Sequence, residues 1–268
     1  MKIAVCLKQV PSREWHPRLN DDRTWIREQD VSYEMNEPDA YALEEALRLR
    51  EKHGGEVVVC SAGPSRVQQM LREALARGAD RALHVEDDSL ASADAFVSAG
   101  ALAAAMAGEA FDLVLTGLQS DDQGQGQTGV VLAERLGMPH STIIIEIQVQ
   151  GTDGHAGAAP GEGPAPTGVR VKRELEGGWF QWVAMSLPAL LTIQSGINQL
   201  RYATLKGIMA AKKKEIRKFP LPLGLAASQQ IIGLALPTRS KQTQMLTGSP
   251  AEVAKELVRR LRDEARAL

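Results

Sequence analysis

The stretch that decides the fold reads LTGLQSDDQGQGQTG and covers residues 115–129. An apolar run over residues 111–115 leads into it, and a helical pattern over residues 130–136 leads out of it. A strand, a loop of small residues and a helix start present backbone N–H groups and a positive helix end to an anion such as phosphate. The stretch matches neither the G-x-G-x-x-G fingerprint nor a Walker loop with its lysine. It favours a nucleotide-binding loop, and a strand–helix turn without a ligand is the alternative that the loop alone leaves open.

Short apolar runs alternate with amphipathic segments through the first half of the chain. The predicted strands cover residues 3–7, 57–60, 81–85 and 112–116, and the predicted helices cover 39–53, 65–77, 92–107 and 127–136. This alternation predicts a parallel sheet with helices on its faces. Ligands of such sheets bind beyond the carboxyl ends of the strands, near a topological switch point. We therefore expect the loops at residues 7–9, 60–63 and 117–119 to converge on one edge of the sheet.

The second half has a different pattern. Residues 140–149 form a β-branched run that predicts a strand, and residues 151–168 are rich in Gly, Ala and Pro, which indicates a flexible insertion. The insertion is interpreted as a solvent-exposed excursion, with a functional lid as the alternative. Residues 169–175 and 179–185 flank a Gly-Gly turn and predict a hairpin, and residues 190–192 are a candidate strand.

Clear periodicity ends near Gln194. We expect a nucleotide-binding domain over residues 1–218 and a C-terminal arm and helix over residues 219–268. The run KKK at residues 212–214 is interpreted as solvated surface. Ser249 as N-cap, Pro250 and Glu252 predict the start of the last helix. The arm either docks on a partner subunit or packs on its own domain.

Composition excludes several classes of protein. The 268 residues carry a net charge of −2, without the basic excess of a nucleic-acid binder. Cys6 and Cys60 lie in apolar runs, which indicates buried free thiols in a reducing compartment and no metal site. No apolar stretch approaches a membrane span and no signal peptide precedes the first strand, so the expected location is the cytoplasm. No catalytic constellation can be assembled from the five histidines.

Five segments in the same order resemble the β subunit of electron transfer flavoprotein. They are MNEPDAYALEEALRL at 35–49, the loop at 117–129, SLPALLT at 186–192, GINQLRY at 196–202 and GIMAAKKK at 207–214. The resemblance is collinear over nearly the whole chain.

The resemblance implies an adenine nucleotide alpha-hydrolase type of fold with a Rossmann-like parallel sheet. It also implies a heterodimer with an alpha subunit that carries the redox-active FAD, while the β subunit binds AMP in a structural role. Such a complex takes electrons from flavin dehydrogenases and passes them to a quinone oxidoreductase or another acceptor. A nonenzymatic electron carrier is therefore expected.

The resemblance also implies candidate nucleotide-binding residues. Gln127 and Thr128 match the end of the family's phosphate loop, and Gly126 stands where the family usually has Asn. Asp122 matches the first carboxylate of an acidic stretch that is otherwise replaced here. The remaining candidates are Leu7, Asn36 and Cys60, and for Cys60 a packed strand-end thiol fits equally well.

Three alternatives to an AMP-binding subunit differ from it in sequence features. Flavin-bifurcating relatives bind a second FAD in place of AMP, but their Asp-Gly-Asp-Thr run is missing here. A stand-alone nucleotide-binding protein of the stress type shares the fold class but not the collinear second half. An ATP-using enzyme needs a metal or a basic clamp near the loop, and residues 118–129 contain no Lys or Arg.

Residues 193–202 resemble the family's recognition loop for dehydrogenases. Ile197 is the expected apolar anchor, with a buried core residue as the alternative, and Asn198, Arg201 and Tyr202 accompany it. Gln199 and Leu200 replace the family's Glu-Pro, and the loss of Pro predicts a looser backbone for the loop. Two tryptophans at 179 and 182 predict either sheet core or an exposed contact surface.

Overall fold

A computed structural model describes residues 1–151, 165–237 and 243–267. The chain divides into two compact units, Met1–Gly233 and Leu234–Leu268. The first unit extends beyond the expected boundary at residue 218 because Phe219, Leu221 and Leu225 pack with the buried side chains of a small core cluster. None of the helices in the described part of the chain has the length and apolar character needed to cross a bilayer.

The first unit contains all eleven described strands and five of the six described helices. The strands are β1 (Lys2–Cys6), β2 (Gln9–Pro11), β3 (Tyr33–Met35), β4 (Glu56–Gly63), β5 (Arg81–Glu86), β6 (Leu113–Gly117), β7 (His140–Gln150), β8 (Gly168–Glu174), β9 (Phe180–Ser186), β10 (Ala189–Ile193) and β11 (Ile216–Phe219). The helices are α1 (Glu37–His53), α2 (Val67–Arg77), α3 (Ala95–Met106), α4 (Thr128–Leu136) and α5 (Leu205–Ala211).

Nine strands form one sheet in the order β11-β5-β4-β1-β6-β10-β7-β8-β9. The pairs from β11 to β7 are parallel, and β8 and β9 extend the sheet as antiparallel strands. The chain moves outward from β1 through β4 to β5 and then returns to β6 on the other side of β1. This arrangement confirms the predicted α/β class with a Rossmann-like parallel sheet, and its topological switch point lies between β1 and β6.

The central strands are buried on both faces. Alternate residues of β1 enter different core clusters, Ile3 and Val5 on one side and Ala4 and Cys6 on the other. Helices α1 and α2 supply leucines to the first cluster, and α3 and α4 supply leucines to the second. Two-sided burial explains why these strands read as continuous apolar runs.

The sequence pattern missed β2, β3, α5 and β11. The two short strands pair with each other outside the main sheet. Helix α5 has only seven residues, and its N-cap Thr204 accepts a hydrogen bond from the backbone N of Gly207 at 3.1 Å. The interpretation of the triple-lysine run as solvated surface is wrong for Lys214, whose Nζ donates to the carbonyl oxygens of Leu75 at 3.1 Å and Ala79 at 2.5 Å.

The predicted hairpin is formed by β8 and β9. The expected insertion lies mainly in residues 152–164, outside the described residues, and its flanking residues Gln150 and Gly168 pair across β7 and β8. The two tryptophans belong to the surface: Trp179 is 74% exposed and Trp182 is 38% exposed. The guanidinium of Arg170 lies 4.3 Å from the centre of the Trp182 ring.

The second unit contains α6 (Pro250–Asp263). Its predicted start is confirmed, because the backbone N of Ser249 donates to Glu252 Oε2 at 2.9 Å in a capping box. Arg260 Nε pairs with Glu256 Oε1 at 2.8 Å one turn earlier. Leu257 and Val258 of this helix are exposed.

Candidate functional site

A cavity opens at the switch point, beyond the carboxyl ends of β1 and β6. Its walls come from the end of β1, the start of α1, the end of β4, the beginning of α3 and the loop between β6 and α4. The expected convergence of three loops is therefore observed. Of the predicted nucleotide-binding residues, the lining includes Leu7, Asn36, Gly126, Gln127 and Thr128.

Two predicted site residues, Cys60 and Asp122, do not line the cavity. Cys60 is fully buried three residues before the end of β4, where it packs in the core with Leu83. Burial raises the pKa of its thiol, which therefore stays protonated at neutral pH. The next residue on the same face of the strand, Ala62, lies at the strand end and lines the cavity. Cys6 at the end of β1 also lines it.

Asn36 holds the loop with both atoms of its side-chain amide. Its Nδ2 donates to the Gln119 carbonyl oxygen at 3.0 Å, and its Oδ1 accepts from the Asp121 backbone N at 2.9 Å. Its own backbone N donates to the Lys8 carbonyl oxygen at 2.9 Å. Asn36 therefore shapes the cavity by fixing the first half of the loop, and its amide group is already hydrogen-bonded within the chain.

Asp39 links the two strands of the switch point. Its Oδ2 accepts from the backbone N of Lys8 at 2.7 Å, and its Oδ1 accepts from the backbone N of Gly117 at 2.9 Å. Burial raises the pKa of Asp39 to about 7, although these hydrogen bonds oppose the shift. Gly117 has no room for a side chain, because an added Cβ lies 2.8 Å from the Asp39 backbone N. Sequence reasoning missed Asp39, whose only signal was its place in the first turn of α1.

Lys8 brings a cation to a loop that has none of its own. Its Nζ lies 2.7 Å from Asp122 Oδ1, 3.2 Å from Ser120 Oγ and 3.2 Å from Gln123 Oε1. Burial tends to raise the pKa of Asp122, but the Lys8 ammonium outweighs it and holds that pKa below its usual range. Lys8 lies two residues after the end of β1 and more than a hundred residues before the loop in the sequence. The absence of Lys and Arg within the loop therefore did not indicate that a cation lies beside it.

The start of α4 forms part of the cavity wall. Thr128 and Gly129 form its first turn and line the cavity, and the turn contains no acidic side chain. The first backbone N–H groups of a helix have no partner within the helix and favour negative charge. Gly129 packs tightly on the sheet, because an added Cβ lies 2.6 Å from Thr116 Oγ1 and 2.8 Å from Thr192 Cγ2.

Apolar side chains also line the cavity. Leu7, Ala62, Leu90 and Leu102 provide a surface suited to a flat base, whereas the loop provides amides, hydroxyls and backbone N–H groups. The arrangement therefore fits a ligand with an aromatic ring at one end and a phosphate at the other. Within the described residues, no group of three or more His, Cys, Asp or Glu side chains could hold a metal ion.

The expected recognition loop is fixed on α1. Asn198 Nδ2 donates to the Tyr41 carbonyl oxygen at 3.1 Å and to Glu45 Oε2 at 3.0 Å. Arg201 Nε lies 2.8 Å from Glu44 Oε2, and the Arg201 guanidinium also pairs with Glu51. Two of the predicted recognition residues are therefore bonded within the chain.

Ile197 does not have the exposure expected of an apolar anchor. It is half-buried and packs against the larger core cluster, without belonging to the fully buried core. Tyr202 is 90% exposed, as a contact residue would be, and the next exposed apolar side chains lie on the unpredicted helix α5. There Leu205 is 80% exposed and Met209 is 62% exposed.

Fold and cavity together define an α/β domain with a Rossmann-like parallel sheet and a cavity at the sheet's switch point. Comparison with known proteins narrows this class. A sequence model described as the electron transfer flavoprotein domain matches residues 24–223. The electron transfer flavoprotein subunit beta of Methylophilus methylotrophus is 36% identical over 269 residues, covering 96% of this chain and 97% of that protein.

Two further relatives carry the same description. The subunit beta of Bacillus subtilis is 36% identical and covers 91% of this chain and 91% of its own length. That of Thermoanaerobacterium thermosaccharolyticum is 34% identical and covers 97% of this chain and 98% of its own length. The chain belongs to the electron transfer flavoprotein family as a beta subunit, which confirms the resemblance. Membership makes it part of a flavin-associated electron carrier and implies an alpha subunit as partner.

Proposed function

We propose that this chain binds AMP in the cavity between β1 and β6, and that the nucleotide has a structural role in the heterodimer. The observation that carries this proposal is the start of α4, where Thr128 and Gly129 present an uncompensated positive helix end to the cavity. A monophosphate suits this end, because backbone N–H groups and the Thr128 hydroxyl supply donors without a metal ion. The adenine lies against the apolar wall formed by Leu7 and its neighbours.

The structural role proposed for AMP is supported by the position of the cavity between the two halves of the sheet and the loop. Its walls belong to both halves of the doubly wound sheet and to the loop that Asn36 and Asp39 hold in place. A ligand that contacts all of these elements stabilises their mutual arrangement by mass action. The electrons pass through the FAD of the alpha subunit, which this chain supports, and AMP takes no part in the redox step.

The nucleotide content of the purified complex tests this proposal. The chain is co-expressed with its alpha subunit, the complex is denatured by heat, and the supernatant is analysed by chromatography. We expect one AMP and one FAD for each heterodimer, and Thr128→Val is expected to lower the AMP content. The exposed Thr24→Val, outside the cavity, is the matched control. Two FAD and no AMP would replace the proposal with a second flavin, and a complex without any adenylate would refute nucleotide binding.

Partner docking is proposed at an exposed apolar surface made of Tyr202, Leu205 and Met209. Large apolar side chains this exposed are typical of contact residues that enter a pocket of a partner. The pairing of Arg201 with Glu44 holds the adjoining loop on α1 and gives this surface a rigid base. Flavin dehydrogenases dock here, and a quinone oxidoreductase or another acceptor receives the electrons.

The second unit is proposed to dock on the alpha subunit. Its helix α6 presents the apolar side chains of Leu257 and Val258 without burying them. Their exposure supports contact with a partner chain, because an amphipathic helix gains most of its stability from burying its apolar face.

A further inference from the structure

We propose that Lys8 fastens the loop over the bound nucleotide, so that its ammonium group sets the rate at which the nucleotide leaves. This inference rests on the proposed nucleotide binding and assigns a positioning role to a residue outside the phosphate loop. Lys8 itself lines the cavity, and its side chain reaches the part of the loop over residues 120–123, here called the loop tip.

The three contacts of the ammonium group all go to the loop tip. An ammonium has three N–H donors, and here the acceptors are Asp122 Oδ1 at 2.7 Å, Ser120 Oγ at 3.2 Å and Gln123 Oε1 at 3.2 Å. Hydrogen bonds from a charged donor to a carboxylate are about twice as strong as neutral ones. One side chain thus contacts the loop tip at three of its four residues.

The backbone of Lys8 is fixed independently of its side chain. Its N–H donates to Asp39 Oδ2 at 2.7 Å, and its carbonyl oxygen accepts from the Asn36 backbone N at 2.9 Å. The position from which the side chain extends is therefore tied to the first turn of α1 and the end of β1. Because the backbone of Lys8 is fixed, the three contacts of its side chain restrain the loop tip and do not merely move with it.

The segment that directly follows the loop tip has the backbone flexibility that such a restraint needs to counter. Gly124 and Gly126 both adopt the left-handed region, with φ of 63° and 64°. Glycine loses more conformational freedom on ordering than any other residue, so this segment opens readily unless it is held. A second cation, Arg13, reaches Asp121 at 3.1 Å, but its side chain is 58% exposed and the pair contributes little.

Asp122 gains a role from this arrangement. It is absent from the cavity lining, and its carboxylate is neutralised by Lys8. The resemblance suggested that Asp122 meets the nucleotide, whereas the geometry points to the acceptor that holds Lys8 in place. Lys8 and Asp122 then act as one unit, and removing either has much the same effect as removing both.

The test measures release of AMP from the complex with the alpha subunit. Labelled AMP is loaded, an excess of unlabelled AMP is added, and the bound label is followed with time for wild type, Lys8→Met, Lys8→Arg and Asp122→Asn. Lys8→Met is expected to release AMP roughly tenfold faster or more, as loss of a charge-assisted contact set implies. Asp122→Asn is expected to act in the same direction, and Lys8→Arg to restore part of the slow release.

The control is Lys52→Met, which removes the same charge from an exposed position in the last turn of α1. It is expected to release AMP at the wild-type rate. A wild-type rate in Lys8→Met, or an effect confined to the association rate, would overturn the role of Lys8 while leaving nucleotide binding intact. A wild-type complex that contains no AMP after purification and takes up no labelled AMP would instead refute the proposed function. The double variant of Lys8 and Asp122 should match the single variants, and additive effects would contradict a shared unit.

Discussion

Replacing Arg201 with methionine should destabilise the beta subunit by removing the main partner of a buried carboxylate. Glu44 is only 4% exposed, and its Oε2 accepts from Arg201 Nε at 2.8 Å while its Oε1 accepts from Arg201 Nη2 at 3.1 Å. Breaking one partner of a buried pair costs about 3–5 kcal/mol. The Arg201 side chain is 31% exposed and Arg48 Nε remains 2.9 Å from Glu44, so we expect about 2 kcal/mol after discounting for solvent.

Differential scanning calorimetry of the complex measures this cost. For a chain of this size 1 kcal/mol shifts Tm by about 2–4 °C, so Arg201→Met should lower the transition of the beta subunit by about 4–8 °C. Arg201→Lys keeps the charge but loses the planar arrangement of N–H donors, so its Tm should lie between those of wild type and Arg201→Met. Glu51→Gln removes the other carboxylate partner of Arg201, whose side chain is 52% exposed, and should change Tm by about 1 °C or less.

The effect of Arg201→Met should also depend on pH. Burial tends to raise the pKa of Glu44, but the two arginines outweigh it and lower that pKa. A carboxyl whose pKa is lower in the folded state contributes stability above its unfolded pKa and loses it as the pH falls through the folded value. The difference between wild type and variant should therefore shrink below about pH 4. An Arg201→Met complex with the Tm of Glu51→Gln, or a difference that does not shrink in acid, would refute this account of the loop.

Three further predictions concern the site and the two docking surfaces. Burial raises the pKa of Asp39 to about 7, so the contribution of its protonated carboxyl to folding stability is fully present below about pH 4 and is lost as the pH rises through 7. The stability of wild type relative to Asp39→Asn should therefore fall between these pH values. Parallel curves of Tm against pH for the two proteins would contradict this account of the buried carboxyl. Leu205→Ala should lower the rate at which the cognate dehydrogenase reduces the complex at least severalfold, with AMP content and assembly unchanged. The control Leu223→Ala, at a residue that is 99% exposed, should have no effect. Equal rates in the two variants would exclude this docking surface. Leu257→Asp should raise the Kd for assembly with the alpha subunit roughly tenfold or more, as measured by analytical ultracentrifugation. The control Lys255→Ala, at an exposed position on the same helix, should leave this Kd unchanged. An unchanged Kd in Leu257→Asp would mean that α6 does not dock on the alpha subunit.

The sheet could be predicted from sequence where burial leaves a continuous signal. The strands β1, β4, β5 and β6 are buried on both faces, so each reads as an apolar run, and helix α2 between β4 and β5 has clear polar and apolar sides. The place of β10 between β6 and β7 could not be predicted. Strand order depends on contacts between segments far apart in the chain, which local periodicity does not record.

The position of the cavity was predictable from the sequence in outline, and two of the predicted site residues, Cys60 and Asp122, are not among its lining residues. The loop and the start of α4 carry a local pattern, whereas Lys8 and Asp39 reach the loop from distant segments. The resemblance implied Cys60 as a site residue, but β4 continues to Gly63, and Ala62, two residues after Cys60, is the residue near the strand end that lines the cavity. A shift of two residues keeps the same face of a strand and still moves a side chain from the cavity into the core.

The exposed apolar surface proposed for docking could not be predicted from the sequence, because much of it lies on a short helix. Ile197 was the expected anchor because the surrounding motif resembles the family's loop, yet it packs on the core. The most exposed aliphatic side chain nearby, Leu205, starts a helix of seven residues that has too few turns to show periodicity. The exposure that distinguishes the two depends on the packing of α5 against α2, which no local pattern reports.

A crystal structure of the complex of this chain with its alpha subunit, purified without added nucleotide, would test the central claim most directly. The account predicts electron density for an adenine mononucleotide whose phosphate lies on the backbone N–H groups of Thr128 and Gly129, with the Lys8 ammonium closing the loop above it. Density for a flavin at this position, or an ordered loop around water alone, would contradict it.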